Sequence, residues 1–333
     1  MILVLSQANY DSTTEEVVDW VRALGGDCVR LNGDDVGAAQ PFALEFDGAG
    51  PHLRFTLDGR AFSSREVRAV WMRRWGRTES TAPVRAAPGL ESLAARMNTH
   101  LTNELNAVAR GLFAALQGAR WLTRPGDISV NKLDVLRAAV EVGLEIPPTL
   151  VTNERGEIER FRQKHGGIIT KSIGGADIFP FYGKSFALYT AKVKDEDVAA
   201  LPESPFPTLV QAMVEKEFEV RTFYLGGEMH SMAIFSQGDE ETSVDFRRYN
   251  LQRPNRTVPY RLPEEVAGRV RALMQALEQD TASIDLIRTP DGRHVFLEVN
   301  PAGQFGMVSR PCNYRLEKRV AGYLMQQSPD VDR

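Results

Sequence analysis

The chain opens on an unbroken apolar run, Met1 to Leu5, and then changes period. Behind Ser12-Thr-Thr-Glu-Glu16 the apolar residues Val17, Val18, Val21 and Leu24 recur at helical spacing, and Gly25-Gly26 stops the run. Cys28-Val-Arg-Leu31 predicts the next strand, so strand, helix and strand begin an α/β layer. Positions 42–57 alternate apolar and polar and are punctuated by Asp58-Gly59, which predicts a β-hairpin. A further strand lies within 67–75 and ends in Arg73, Arg74 and Trp75. Positions 90–118, with Gly111 the one interior breaker, fit one long helix or two shorter ones.

A boundary falls near Arg124-Pro-Gly-Asp127. Beyond it, positions 131–143 form an amphipathic pattern closed by glycine, and Pro147-Pro148 force an extended segment over 146–152. A short strand over 168–172 runs into Gly174-Gly175. Three prolines within 202–207 separate a small middle lobe from a C-terminal set of strands, expected at 209–214, 218–225, 228–235, 282–288 and 294–298 around a helix at 264–279. No internal repeat or low-complexity tract interrupts this order.

Composition narrows the class. At 333 residues the chain is long enough for two or three domains, and 43% hydrophobic with 25% charged residues is the balance of a soluble globular protein. Forty Lys and Arg against 44 Asp and Glu give a net charge of −4, which argues against nucleic-acid binding through phosphate charge. Cys28 and Cys312 lie far apart, with no CxxC and no histidine cluster. That predicts reduced thiols in the cytoplasm instead of a disulfide framework or a structural zinc site. The apolar start lacks a basic flank and a cleavage site, and no run approaches the roughly 18 to 20 apolar residues of a membrane helix. No membrane partner is expected.

Three constellations carry candidate chemistry. In Ser283-Ile-Asp285 and Phe296-Leu-Glu-Val-Asn300, separated by a Pro290-Asp-Gly-Arg turn, Glu298 and Asn300 share one face of a strand and Asp285 lies on its partner. Oxygen donors of this kind suit Mg2+; a charged, solvated hairpin face is the alternative reading. Lys132 opens a helix beside Asn131, and Lys171 precedes Ser172-Ile-Gly174-Gly175, where glycines let backbone amides approach a polyphosphate. A lone lysine after a strand is more often a solvated strand end. No GxxxxGKS or GxGxxG is present, so a P-loop and the simplest dinucleotide site are excluded. Third, Gln211-Ala-Met-Val-Glu-Lys-Glu-Phe-Glu-Val-Arg221 carries an apolar strand into acidic residues and a second strand, either a nucleotide-binding crossover or an ordinary charged hairpin. Downstream, Asp245-Phe-Arg-Arg-Tyr-Asn250 with Arg253 and Arg256 forms a basic stretch. His52, His100, His165, His230 and His294 fall in no mutually supportive spacing.

In this order the pieces resemble the ATP-grasp superfamily. More closely they resemble the graspetide synthetases of microviridin and plesiocin type, in the branch of grasp-with-spasm peptide maturases. Trp71-Met-Arg-Arg-Trp75, Asn131-Lys-Leu, the stretch from Gly143 to Asn153, Asp245-Phe-Arg247 and the stretch from Phe296 to Gly306 carry that likeness. The resemblance implies an α/β (α+β) chain with the ATP-grasp fold: an N-terminal pre-ATP-grasp α/β domain (1–125), a small central lobe (126–205) and a C-terminal lobe (206–333). It implies that Lys132 and Lys171, with Gly174 and Gly175, hold phosphates of ATP. Gln211, Ala212, Met213 and Val214 would line the adenine, and Glu217 or Glu219 would take the ribose. Asp285, Glu298 and Asn300 would hold one or two Mg2+ ions, while Arg221, Arg247 and Asn250 face the γ-phosphate and the acyl phosphate. Many relatives carry Glu where Gln211 stands.

The activity implied is ATP-dependent conversion of Asp or Glu side chains of a ribosomal precursor peptide into acyl phosphates. Thr or Ser hydroxyls, or Lys amines, then capture them as ω-ester or ω-amide rings. Such chemistry needs stabilisation of charge on the transferring oxygens and no nucleophilic triad. The implied partners are a leader with a Thr- and Glu/Asp-rich core and, from the resemblance alone, a second copy of the chain. The run Arg65, Arg68, Arg73, Arg74, Arg77 and Arg85 either attracts an acidic core or is a solvated strand and turn. A RimK-like ligase adding free amino acids to a protein or small molecule is the alternative that shares every ATP residue.

Overall fold

The computed structural model describes residues 1–7, 11–37, 41–57, 59–75, 83–128, 130–174, 178–181, 184–187, 190–237 and 254–326. They divide into two compact units, residues 1–128 with 304–306 and 315–333, and residues 129–303 with 307–314.

The first unit is built on β1 (Ile2–Ser6), α1 (Ser12–Ala23), β2 (Cys28–Asn32), α2 (Gly33–Gly37), β3 (Phe42–Asp47), β4 (Gly50–Leu57), β5 (Arg60–Ser63), β6 (Ala69–Met72), α3 (Glu91–Ala114) and β7 (Arg120–Leu122). Strands β2-β1-β6-β7 form a parallel sheet, and every residue of β1 and β6 is buried, which is why both read as continuous apolar runs. The α1 N-cap is Asp11, whose carboxylate accepts from Thr14 Oγ1 at 2.5 Å, so the start signal lies one residue before the Ser/Thr cluster. The expected hairpin over 42–57 is extended by β5 into a three-stranded antiparallel meander. Positions 90–118 give one long helix. Arg73 is buried, 4.0 Å from Asp11 and over the Phe305 ring, so it does not belong to a solvated arginine patch as the stretch from Arg65 to Arg85 suggested; Arg77 lies outside the described residues.

The second unit holds α4 (Lys132–Glu141), β8 (Thr149–Thr152), α5 (Arg155–His165), β9 (Ile168–Thr170), β10 (Ile178–Phe181), β11 (Lys184–Ala187), β12 (Ala191–Lys192), α6 (Asp195–Ala199), β13 (Thr208–Ala212), β14 (Phe218–Leu225), β15 (Glu228–Phe235), β16 (Arg256–Tyr260), α7 (Glu264–Ala276), β17 (Thr281–Arg288) and β18 (His294–Asn300). Two antiparallel sheets dominate, β12-β9-β13-β8 and β16-β15-β14-β17-β18, with β10 and β11 paired separately. The first is backed by Ile158 of α5 and Val198 of α6 on Ile168 and Val210; the second by α4 and α7, through Val135, Ala139, Val270 and Met274 on Ile284 and Phe296. Asn131 caps α4 by accepting from Leu133 N at 2.9 Å, and Gly143, at φ +80, closes it in a conformation that favours glycine.

The strand expected at 209–214 with the C-terminal set pairs instead with β8 and β9. Its neighbour in sequence, β14, pairs with β15 and β17 in the other sheet. After the short α8 (Gly306–Ser309), α9 (Leu316–Met325) belongs to the first unit, where it packs on α1 and places Lys318 Nζ 5.1 Å from the Trp20 ring centre.

Candidate functional site

Antiparallel register sets Arg221 of β14, Asp285 of β17 and Glu298 of β18 side by side across three strands. Arg221 and Asp285 are both buried, and Arg221 Nη1 donates to both carboxylate oxygens, at 2.7 and 3.0 Å. The β17–β18 register then jumps from Asp285–Glu298 to Leu286–Phe296, so Leu297 is an extra residue on β18, a bulge at the functional row. Two residues beyond Glu298, on the same face, Asn300 stands opposite Ser283 and is exposed. Gly303 closes the turn that follows: a side-chain carbon there would lie 2.5 Å from the Ser283 side chain and 2.9 Å from Asn300 O. Among the described residues no three His, Cys, Asp or Glu side chains gather as a ready metal cluster. The donors here are two carboxylates and an amide, a hard-oxygen set that fits Mg2+ completed by water and phosphate oxygens.

This row opens on a cavity of about 460 Å3 lined from both sheets of the second unit. Ile169, Val220, Leu286, Ile287 and Leu297 form its apolar surface. Cationic groups reach it from Lys171, just past β9, and Lys192, whose residue pairs with Ile169 in the same sheet. Lys132 is not among the lining residues; its Nζ donates to Ser172 O at 2.7 Å and so ties the first turn of α4 to the loop after Lys171. A cation at a helix N-terminus opposes the helix dipole, so the helix itself gives no reason for a lysine here, whereas the Ser172 carbonyl does.

The chain from β13 to β14 forms the cavity's rim. Gln211 is fully buried. Thr149 Oγ1 gives its proton to Pro147 O at 2.8 Å, so it accepts from Gln211 Nε2, also at 2.8 Å. That fixes the amide and leaves Gln211 Oε1 buried with no donor. The Ala212 and Met213 amides donate to Pro148 O and Gly167 O, so they are engaged within the fold, whereas Val214 N enters no backbone bond among the described residues. An exocyclic amine answers the Gln211 acceptor, which fits adenine.

The two acidic candidates part company. Glu217 pairs with Arg288 and is not among the lining residues, so of the two it is Glu219 that faces the cavity. Glu219 is buried beside Lys216, with which it forms an ion pair; burial outweighs that lysine and pushes its carboxyl up to about 7. Gly174 stands in open space past Lys171. Gly175, Arg247 and Asn250 lie outside the described residues. The structure therefore brings together Lys171, Gln211 to Val214, Glu219, Arg221, Asp285 and Glu298, and adds Lys192 and Lys216, which sequence reasoning passed over. Lys216 was hidden inside an alternating charge run; Lys192 carried no signal beyond its strand.

Residues 1–129 match the family profile of the MvdD pre-ATP-grasp domain. Among solved structures, a RiPP-associated ATP-grasp ligase from Chryseobacterium gregarium, in complex with ADP and a leader and core peptide, superposes with a TM-score of 0.84 at 22% identity, covering 97% of this chain and 96% of that one. The macrocyclase MdnB from Microcystis aeruginosa gives 0.74 at 26% identity, over 97% and 98% of the two chains. The ATP-grasp ligase PsnB, complexed with a phosphomimetic precursor variant, Mg and ADP, gives 0.73 at 19% identity, over 97% of each. No curated protein sequence matches. The fold is that of the ATP-grasp ligases, with a pre-ATP-grasp first unit.

Proposed function

We propose that this ATP-grasp protein of the graspetide-synthetase type is an ATP-dependent macrocyclase that joins Asp or Glu side chains of a ribosomal precursor to Thr or Ser hydroxyls, or Lys amines. The row Arg221–Asp285–Glu298 on a cavity that Lys171, Lys192 and Lys216 also line is the observation that carries this reading. It combines a dication-compatible donor pair with an arginine able to meet a phosphoryl group, which is what phosphoryl transfer to a carboxylate requires. The complexes of the Chryseobacterium ligase and of PsnB, with peptide and ADP, support it.

ATP enters with its adenine amine toward Gln211 Oε1 and its base against the Met213–Val214 backbone. Glu219 accepts from a ribose hydroxyl. Lys171 meets the phosphates, and Lys132 holds the Ser172 loop over them. Asp285 and Glu298, with Asn300, would hold Mg2+, which would draw charge from the phosphate oxygens. Arg221, with Arg247 and Asn250, stabilises the transferring phosphoryl group. The substrate carboxylate takes the γ-phosphoryl group, releasing ADP, and the hydroxyl displaces phosphate to close the ester. The three-part division at 125 and 205, a second copy of the chain as partner, and a cytoplasmic setting complete the proposal. Among the described residues no helix is long and apolar enough to cross a membrane.

The test is incubation with Thr- and Glu/Asp-rich precursor peptides, ATP and Mg2+, followed by mass spectrometry. Loss of one water per ring is expected, and Glu298→Ala or Asn300→Ala abolishes it with the fold retained. A gain in mass from free amino acids points to the RimK-like activity, and ATP turnover with no change in peptide mass removes the reading.

A further inference from the structure

Asp285 is the most enclosed oxygen donor in the row, and both of its carboxylate oxygens already accept from one nitrogen of Arg221. Any cation that takes those oxygens displaces the guanidinium or sits against it. The side chains of the pair keep only 6% and 10% exposure, where like charges repel far more strongly than in water and an unpaired guanidinium is costly. A cation arriving alone therefore meets a carboxylate whose counter-ion has nowhere to go.

A polyphosphate changes that balance. Arg221 itself lines the cavity, and its Nε donates to nothing among the described residues, so the guanidinium is held at Asp285 chiefly through Nη1. An anionic phosphoryl oxygen in the cavity offers it a charge-assisted bond of the same strength as the one it leaves. We infer that Arg221 is the resident counter-ion of Asp285 and a positioning residue that couples the two ligands: a divalent cation gains Asp285 only as Arg221 transfers to an incoming polyphosphate. The cation then raises nucleotide affinity by the same factor by which the nucleotide raises cation affinity. This inference rests on the ATP-grasp reading of the cavity and goes beyond it, because that reading requires a metal ligand and an arginine but not their exchange.

The probe is Mn2+ alone, its bound fraction read from loss of the free-ion EPR signal, on the full chain without nucleotide. Wild type is expected to bind Mn2+ weakly, and Arg221→Met to bind it at least ~tenfold more tightly, a difference of about 1.4 kcal/mol. Arg221→Gln, which keeps a hydrogen-bond donor beside Asp285 and so protects the fold, should move in the same direction. Lys192→Met removes a cavity cation that makes no ion pair with Asp285, and its effect should stay below about threefold, the level of an unpaired charge near the site. Equal affinities in wild type and either arginine variant, or a Lys192→Met gain as large as theirs, overturn the inference. So does wild type binding Mn2+ as tightly alone as with a non-hydrolysable ATP analogue, a result that needs no variant. Calorimetry with that analogue and Mn2+ separates the two levels: no nucleotide binding by wild type removes the ATP-grasp reading itself, whereas binding without the Mn2+ differences removes the exchange alone.

Discussion

Arg221 and Asp285 face each other directly across β14 and β17, and one terminal nitrogen of the arginine bridges both oxygens of the carboxylate. Removing the arginine breaks a buried ion pair, so Arg221→Met should cost about 3–5 kcal/mol in urea unfolding. Replacing both partners, as in Arg221→Met with Asp285→Leu, should recover most of that loss, since apolar isosteres no longer need pairing. A double variant whose loss is simply the sum of the single ones would show that the two charges do not stabilise each other.

Glu219 supplies the pH dependence. Its folded carboxyl titrates at about 7 against an ordinary 4.5, chiefly because burial disfavours the charge. The folded chain therefore holds more protons than the unfolded one across that window, and stability falls as pH rises through it. Glu219→Gln should flatten that fall, by on the order of 3 kcal/mol at most between the two ends. Urea midpoints measured from pH 4.5 to 8 that run parallel for the two proteins would rule this out.

Base selection should depend on Gln211. Its orphan Oε1 accepts from an amine and opposes the carbonyl that guanine presents in the same place. Gln211→Leu should weaken ATP binding by up to ~tenfold, the worth of one hydrogen bond, while leaving GTP binding unchanged. Thr149→Val frees the amide to turn over, and the expected result is a smaller ATP preference in calorimetric titrations. An unaltered ATP to GTP ratio in both variants would remove Gln211 from base recognition.

Gly303 is a steric requirement. An added methyl at 2.5 Å from Ser283 and 2.9 Å from Asn300 O must displace one of them. Gly303→Ala should destabilise by about 1–3 kcal/mol, and pairing it with Ser283→Gly should restore part of that. Thermal unfolding of the single and double variants checks this; a fully stable single variant contradicts it.

Much of the scaffold was legible because its signals are local. β1 reads as buried from its unbroken apolar run, and the β17–β18 hairpin from its Pro290-Asp-Gly-Arg turn. Asp285, Glu298, Lys171 and Glu219 could be gathered from spacing and resemblance, and they line one cavity. What escaped depends on partners distant in sequence. Sheet membership of β13 is decided by β8 and β9, which no pattern inside 208–212 encodes. β16 carries Pro259, tolerated because it is an edge strand, and so lacks a strand signature. α5 buries only Ile158 and shows too little apolar periodicity to announce itself. Choosing between Glu217 and Glu219 required knowing where Arg288 lies.

The crossing from β13 to β14 sets a covalent leash on the cavity. Met213 is pinned by its amide to Gly167 in one wall and Glu217 by its amide to Arg288 in the other, with three residues between them. The two pinned amides are four residue steps apart, a span of at most about 14 Å when fully extended. However far the two walls part, they cannot separate at this rim by more than that length, so this end of the cleft acts as the closed side of a purse and any widening is greatest away from it.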